Sequence, residues 1–523
     1  MEVNMNYLRT LSWSGLLTIG LAACPGPHTP YLVKDLSIDD IAKDLAEGRT
    51  VSETITQSYI ERINDLNPSL NAIIAIAPDA IDQARASDVR RKEGKSLGPL
   101  EGIPILLKDN IDAIGMPTTA GSLALANNYP RQDAPLVRNL KNAGAVILGK
   151  TNLSEWANFR SSDSSSGWSA VGGISRNPHD LTRTACGSSS GSGVATAVSL
   201  AAATVGTETD GSVTCPASIN GIVGLKPTVG LISRSGIIPI SASQDTAGPM
   251  ARTVEDTAAL LTAMAGSDPS DLATVTADTH RTDYKKFLDA NALNGVRIGV
   301  LRFLNGYSTQ TLAVFETALQ TLVAQGVELV EIKNFNFGQM GDDELTVLLT
   351  EFKVGLNTYL ADTPPRVTAR TLTEIITFNL SEPRELAWFG QNLFEESEAT
   401  KGLKDTDYIR ARETTKQSAG PDGIDRLLYE YNTIALIAPT TDPAWVIDPK
   451  NGDISSPSAT RLPAVSGYPH LTVPMGFVDN LPIGLSFMGP AWSEGRLLAL
   501  GYAFEQATSA RRAPPDPPQG DTE

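Results

Sequence analysis

Gly144-Ala145-Val146-Ile147-Leu148-Gly149-Lys150-Thr151 satisfies the pattern of a phosphate-cradling P-loop, and whether it is loop or strand decides the fold. A P-loop follows a strand and opens a helix. Here the four residues between the glycines are all apolar, so Ala145 to Leu148 reads as the strand itself and no nucleotide site is expected. Working outward, Leu136 to Asn142 carries helical spacing. Gly102-Ile103-Pro104-Ile105-Leu106-Leu107 reads as a second buried strand ending at Lys108, and Val194 to Ala203 as a helix after a serine-rich loop. This alternation predicts an α/β fold, a single domain on a central mixed, mostly parallel sheet with helices on both faces.

Two small-residue segments flank that last helix, Cys186-Gly187-Ser188-Ser189-Ser190-Gly191-Ser192 and Thr207-Glu208-Thr209-Asp210-Gly211-Ser212. A Gly/Ser run alone is usually a loop. A hydroxyl becomes a useful nucleophile only with a base to take its proton and donors to receive the oxyanion. Histidine is scarce: His28 lies near the N-terminus, and His179, His280 and His470 sit in turn-like or polar settings. Lys108 is the better base, because burial at the end of an apolar strand disfavours its ammonium form. Gly187 to Gly191 also fits Gly-x-Ser-x-Gly, which would make Ser189 the nucleophile of a strand-to-helix elbow. That elbow needs a preceding strand, and Asn177 to Arg183 is polar and turn-forming instead.

Lys108-Asp109-Asn110 and the two serine segments, with Val223-Gly224-Leu225-Lys226-Pro227-Thr228, Gln244 to Arg252, Pro474-Met475-Gly476 and Leu481 to Leu485, resemble the amidase signature family. The resemblance covers residues 34 to 510, and the serine segments look most like the peptide amidase branch. It implies a Ser-cisSer-Lys triad in which Ser212 forms the acyl-enzyme, Ser188 relays its proton and neutral Lys108 is the base. It also implies an oxyanion hole of backbone N–H groups from Thr209, Asp210, Gly211 and Ser212, and no metal or organic cofactor. Gly187 and Gly191 fit the cis peptide, Ser189 belongs to the supporting loop, Ser190 and Ser192 serve its packing or hydrogen bonding, and Asp109 and Asn110 either orient Lys108 or serve the turn. The implied substrate is a small carboxamide or peptide amide, with deamidation of C-terminally amidated peptides foremost. Aliphatic, aryl-acyl or fatty-acyl amides are the alternative, and the A-type component of a tRNA-dependent amidotransferase is a more distant one.

The chain departs from the commoner family wording at Cys186 and Asp210, where many members carry glycine. Glycine tolerates positive φ, and Asp enters that region more readily than most residues, so both positions are candidates for it. The Asp210 carboxylate is expected to face a substrate amide N–H or the protein rather than the oxyanion.

The net charge of −17 over 523 residues argues against a nucleic-acid partner, which needs clustered lysine and arginine. Residues 1–23 resemble a signal peptide, with Arg9 before a short apolar run too short to span a membrane permanently. Leu21-Ala22-Ala23-Cys24 resembles a lipobox, implying export to the periplasm or cell envelope and membrane anchoring through lipidated Cys24; the alternative is an ordinary export signal with an incidental cysteine. Residues 24–33 read as a linker, about 268–430 as a mostly helical elaboration of the 34–510 domain, and the proline-rich 511–523 as a disordered tail. Cys186 and Cys215 are expected as small buried thiols, with a bridge left open by their placement near the two serines.

Overall fold

The structure is a computed structural model that describes residues 31–517. The expected signal peptide 1–23, the lipidation candidate Cys24 and most of the expected linker lie outside the described residues. The strands in chain order are β1 (Ile73–Ile76), β2 (Pro104–Lys108), β3 (Val146–Thr151), β4 (Trp168–Ser169), β5 (Gly173–Ile174), β6 (Ala203–Glu208), β7 (Val223–Lys226), β8 (Thr246–Ala251), β9 (Arg297–Leu301), β10 (Glu328–Ile332), β11 (Ala435–Pro439), β12 (His470–Val478) and β13 (Leu481–Met488). β4 and β5 pair separately, and the other eleven form one sheet in the order β1-β3-β2-β6-β8-β7-β12-β13-β11-β9-β10. Parallel pairs gather in two groups, β3-β2-β6 and β11-β9-β10, and antiparallel pairs join them across the middle. The chain is thus an α/β domain with a mixed central sheet flanked by helices. The β12–β13 hairpin turns on Asp479 and Asn480, at φ 48° and 68°, the left-handed pair that a tight two-residue turn requires.

β3 is the stretch on which the fold turned, and all six of its residues are buried. Gly149 has a packing reason rather than a phosphate one: a Cβ there would lie 2.2 Å from the Ala75 carbonyl oxygen on neighbouring β1. The helix after the serine loop runs Ser190–Ala197, not Val194 to Ala203, and Ala203 instead opens β6. Small residues admit this earlier start, since a Cβ on Gly191 would meet the Ala72 carbonyl oxygen at 2.3 Å and the Asn152 carbonyl oxygen at 2.6 Å. Close packing here overrides the weak helix propensity of Ser and Gly.

The stretch 268–430 is less purely helical than its composition implies. β9 and β10 come from it and extend the main sheet as its far edge, and the helices Met340–Ala361, Leu372–Ser381, Asn392–Glu398 and Thr406–Ala419 form the elaboration proper. The expected disordered tail is also corrected for residues 511–517. Arg511 donates to the Asp35 carboxylate at 2.9 Å, Arg512 lies over the Phe477 ring at 4.6 Å, and Asp516 pairs with Lys34 and Arg62. These charge contacts tie a proline-rich segment down; residues 518–523 lie outside the described residues. No helix among the described residues is long and apolar enough to cross a membrane.

Candidate active site

Lys108 ends β2 with its side chain fully buried. Parallel pairing of β2 with β6 brings Thr207 alongside it. Three oxygens surround Lys108 Nζ: Ser188 Oγ at 2.7 Å, Thr207 Oγ1 at 2.9 Å and the Thr207 carbonyl at 3.2 Å. Burial pushes the lysine down to about 7, against the opposing charges of Asp245 and Glu208. Asp109 turns the other way and pairs with buried Lys150 at 3.2 Å, so it does not neutralise Lys108. Asn110 does stay with the lysine, donating from Nδ2 to the same Thr207 hydroxyl at 3.0 Å.

The Gly187–Ser188 peptide bond is cis. The loop is tight around it: a Cβ on Gly187 would fall 2.1 Å from Ser154 Oγ, and the Ser154 N–H donates to the Ser188 carbonyl at 3.0 Å. The Ser189 N–H donates to the Ser212 carbonyl at 3.1 Å, which stitches the two serine segments together. Ser189 itself is spent on structure, its hydroxyl donating to the Thr207 carbonyl at 3.0 Å. Ser192 lies 2.7 Å from Thr151 Oγ1, and Ser190 Oγ donates to the Cys186 carbonyl. Ser190 and Ser192 therefore support the loop.

Cys186 and Cys215 form a disulfide across 29 positions, correcting the expectation of free thiols. The two serine segments converge in space, which sequence separation hides. Cys186 takes φ +55°, as its glycine-like position suggests. Asp210 does not; the left-handed residue of the second segment is Gly211, at φ +81°. Room there is limited, since a Cβ on Gly211 would lie 3.1 Å from the Thr460 methyl. Glu208 caps the helix Thr214–Ile219 that follows Ser212, accepting from the Val213 and Thr214 N–H groups at 2.7 and 2.9 Å.

The Asp210 carboxyl faces the protein and contacts the carboxyl of Glu344, at the start of the helix Met340–Ala361. Gln244 Nε2 donates to Glu344 Oε1 at 3.0 Å and to the Thr209 carbonyl at 3.3 Å, and Arg461 Nε donates to Glu344 Oε2 at 3.1 Å. Thr209 Oγ1 donates to Asp245 at 2.6 Å, and burial raises that acid to about 6. A cavity of about 30 Å³ is lined by Asn110, Ala157, Thr207, Thr209 and Asp245, and it shares Asp245 and Arg234 with an open groove of about 840 Å³ that does not touch the serines. The small cavity reaches Thr207, the hydrogen-bond partner of Lys108, but its lining, like that of the groove, includes neither Ser188 nor Ser212.

A second buried group braces the site from outside. Arg160 is fully buried between Glu155 and Glu385 and stacks over the Phe389 ring at 4.2 Å. It ties the loop after β3 to the helical elaboration. His470 is buried and His179 half-buried, and desolvation pushes them down to about 3 and about 4. They bond Ser486 and the Asn220 carbonyl, not a candidate serine.

Of these partners, Thr207, Gln244 and Asp245 stand inside segments whose wording is readable. Glu344, Arg461 and Arg160 carry no sequence signal, being brought in from distant elements.

A family model described as Amidase matches residues 54–498. The chain is 50% identical to native peptide amidase from Stenotrophomonas maltophilia, a solved structure with TM-score 0.88, over 92% of this chain and 99% of that one. It is 36% identical to a probable amidase of Arabidopsis thaliana, over 97% of this chain and 96% of the relative. It is also 38% identical to a putative amidase of Arthroderma benhamiae, over 89% of this chain and 80% of the relative. Glutamyl-tRNA(Gln) amidotransferase is represented among the relatives as well, by a Synechococcus sp. protein 34% identical over 90% of this chain and 92% of its own length.

Proposed function

The chain belongs to the amidase family and is an amide-hydrolysing enzyme, and from that premise we propose that it deamidates C-terminally amidated peptides through Lys108, Ser188 and Ser212. The observation that carries the mechanism is the 2.7 Å contact between buried Lys108 and Ser188. A neutral amine has two N–H bonds and one lone pair. Thr207 offers two acceptors for the N–H bonds, which leaves the lone pair for the Ser188 hydroxyl proton. Ser188 in turn takes the proton of Ser212 as its Oγ bonds to the substrate carbonyl carbon. The oxyanion falls to the backbone N–H groups of Thr209 to Ser212, an interaction worth about 3 kcal/mol per donor in serine hydrolases. Return of the proton through Ser188 to the amide nitrogen breaks the C–N bond and releases ammonia. Water, deprotonated along the same path, then attacks the ester carbonyl and frees the acid and Ser212.

Likeness to peptide amidase over nearly the whole chain supports peptide amides over fatty or aryl amides as the substrate class. The net charge of −17 weighs against a tRNA-dependent role despite the amidotransferase relative. Export with lipidation of Cys24 remains our reading of the N-terminus, and the Cys186–Cys215 bridge supports it, because structural disulfides belong to oxidising compartments. The test is ammonia release from a panel of peptide, aliphatic and fatty-acyl amides, with Ser212→Ala as control. Release fastest from peptide amides and lost in the variant is the expected result. Preference for another amide class refutes the substrate, and activity that survives loss of Ser212 refutes the mechanism.

A further inference from the structure

We propose that Glu344 is a positioning residue, a protonated acid that hydrogen-bonds the Asp210 carboxylate and so holds the Thr209–Ser212 segment in shape. Glu344 is 5% exposed and reaches the segment from a helix 132 positions beyond Ser212 in the chain (344 − 212). Its two oxygens already accept from Gln244 and Arg461, at 3.0 and 3.1 Å. Asp210 Oδ1 is buried and receives no hydrogen bond from any ordinary donor among the described residues. Two carboxyls in contact cannot both ionise cheaply, so one keeps a proton and donates it to the other. Glu344 is the one to keep it: burial and the Asp210 charge push it up to about 8. The charged groups around the pair are Arg461 on Glu344, and Lys226 and Glu208 behind Asp210. Gln244 closes the network by bonding both Glu344 and the Thr209 carbonyl. Loss of the proton would set two carboxylates against each other beside the nucleophile.

This role presupposes the amide-hydrolysing site proposed above. The experiment compares kcat/KM from pH 6 to 10 on a peptide amide for the wild type and Glu344→Gln, whose amide N–H cannot ionise. The wild type should fall through a limb near pH 8, about tenfold by pH 9, and Glu344→Gln should lack that limb. A limb unchanged in the variant overturns the proposal. If Glu344→Gln does not fold, half-exposed Arg461→Gln serves instead. Removing that cation favours the protonated acid, so the limb should move to higher pH, and an unmoved limb is again refutation. An activity-independent readout separates this proposal from the enzyme assignment. In urea unfolding, Glu344→Gln should gain on the wild type as pH rises from 5 to 8, because the unfolded chain releases the Glu344 proton first. A flat difference across that window means that Glu344 is not protonated, whatever the enzyme hydrolyses.

Discussion

Replacing Lys108 with methionine should remove activity and, at neutral pH, remove a burden on the fold whose size depends on pH. Burial lowers the lysine from 10.5 to about 7, and at 1.36 kcal/mol per unit this amounts to about 5 kcal/mol. The sign follows from proton counts. Between pH 7 and 10.5 the unfolded chain holds a proton on Lys108 that the folded chain lacks, so wild-type stability gains from this site as pH rises through that window. Below pH 7 both states are protonated and the full cost is present; above 10.5 neither is. Methionine titrates nowhere and forfeits three polar contacts of roughly 1 kcal/mol each, a pH-independent loss. The difference in unfolding free energy, Lys108→Met minus wild type, should therefore fall by about 5 kcal/mol between pH 7 and 10.5, and other titrating groups cancel in the subtraction. The assay is urea unfolding of both proteins at half-unit pH intervals. In parallel, wild-type kcat/KM should rise through a limb near pH 7, with about a tenth of the lysine neutral at pH 6 and nine-tenths at pH 8. A stability difference that does not change with pH would refute the neutral lysine and with it the proton path through Ser188.

Arg160→Met should cost about 3–5 kcal/mol, because it strands the Glu155 and Glu385 carboxylates in the interior, and adding Glu155→Gln and Glu385→Gln should restore most of it in urea unfolding. Replacing Cys186 and Cys215 together with serine should lower stability by roughly 3–4 kcal/mol from the loop entropy of a 29-residue separation, read as a drop in Tm that reductant does not deepen. Gly149→Ala should destabilise by about 1–3 kcal/mol or abolish folding, since its Cβ would collide with a β-strand carbonyl that cannot step aside; an unchanged Tm would mean that β1 and β3 are not so closely apposed.

Local chemistry made part of the proposed site legible. An apolar strand ending in lysine states that the amine is buried, and two small-residue segments state that backbone comes close. Those facts depend on neighbours in the chain, so Lys108 could be singled out as a buried amine and Gly144 to Thr151 recognised as strand, while Ser188 and Ser212 were named through the resemblance to the amidase signature family. Other features depend on which distant groups meet. The Cys186–Cys215 bridge exists because two loops converge, and the neighbour of Asp210 is Glu344, which arrives from the helical elaboration. The same stretch of chain supplies both β9 and β10 to the sheet and that acid to the site, and Arg511 to Pro517 are ordered by charges over 400 positions away. Periodicity records whether a residue is buried, not what it is buried against. Tertiary structure alone decides the partner, and for carboxyls and amines in a low-dielectric interior the partner determines which form carries the charge.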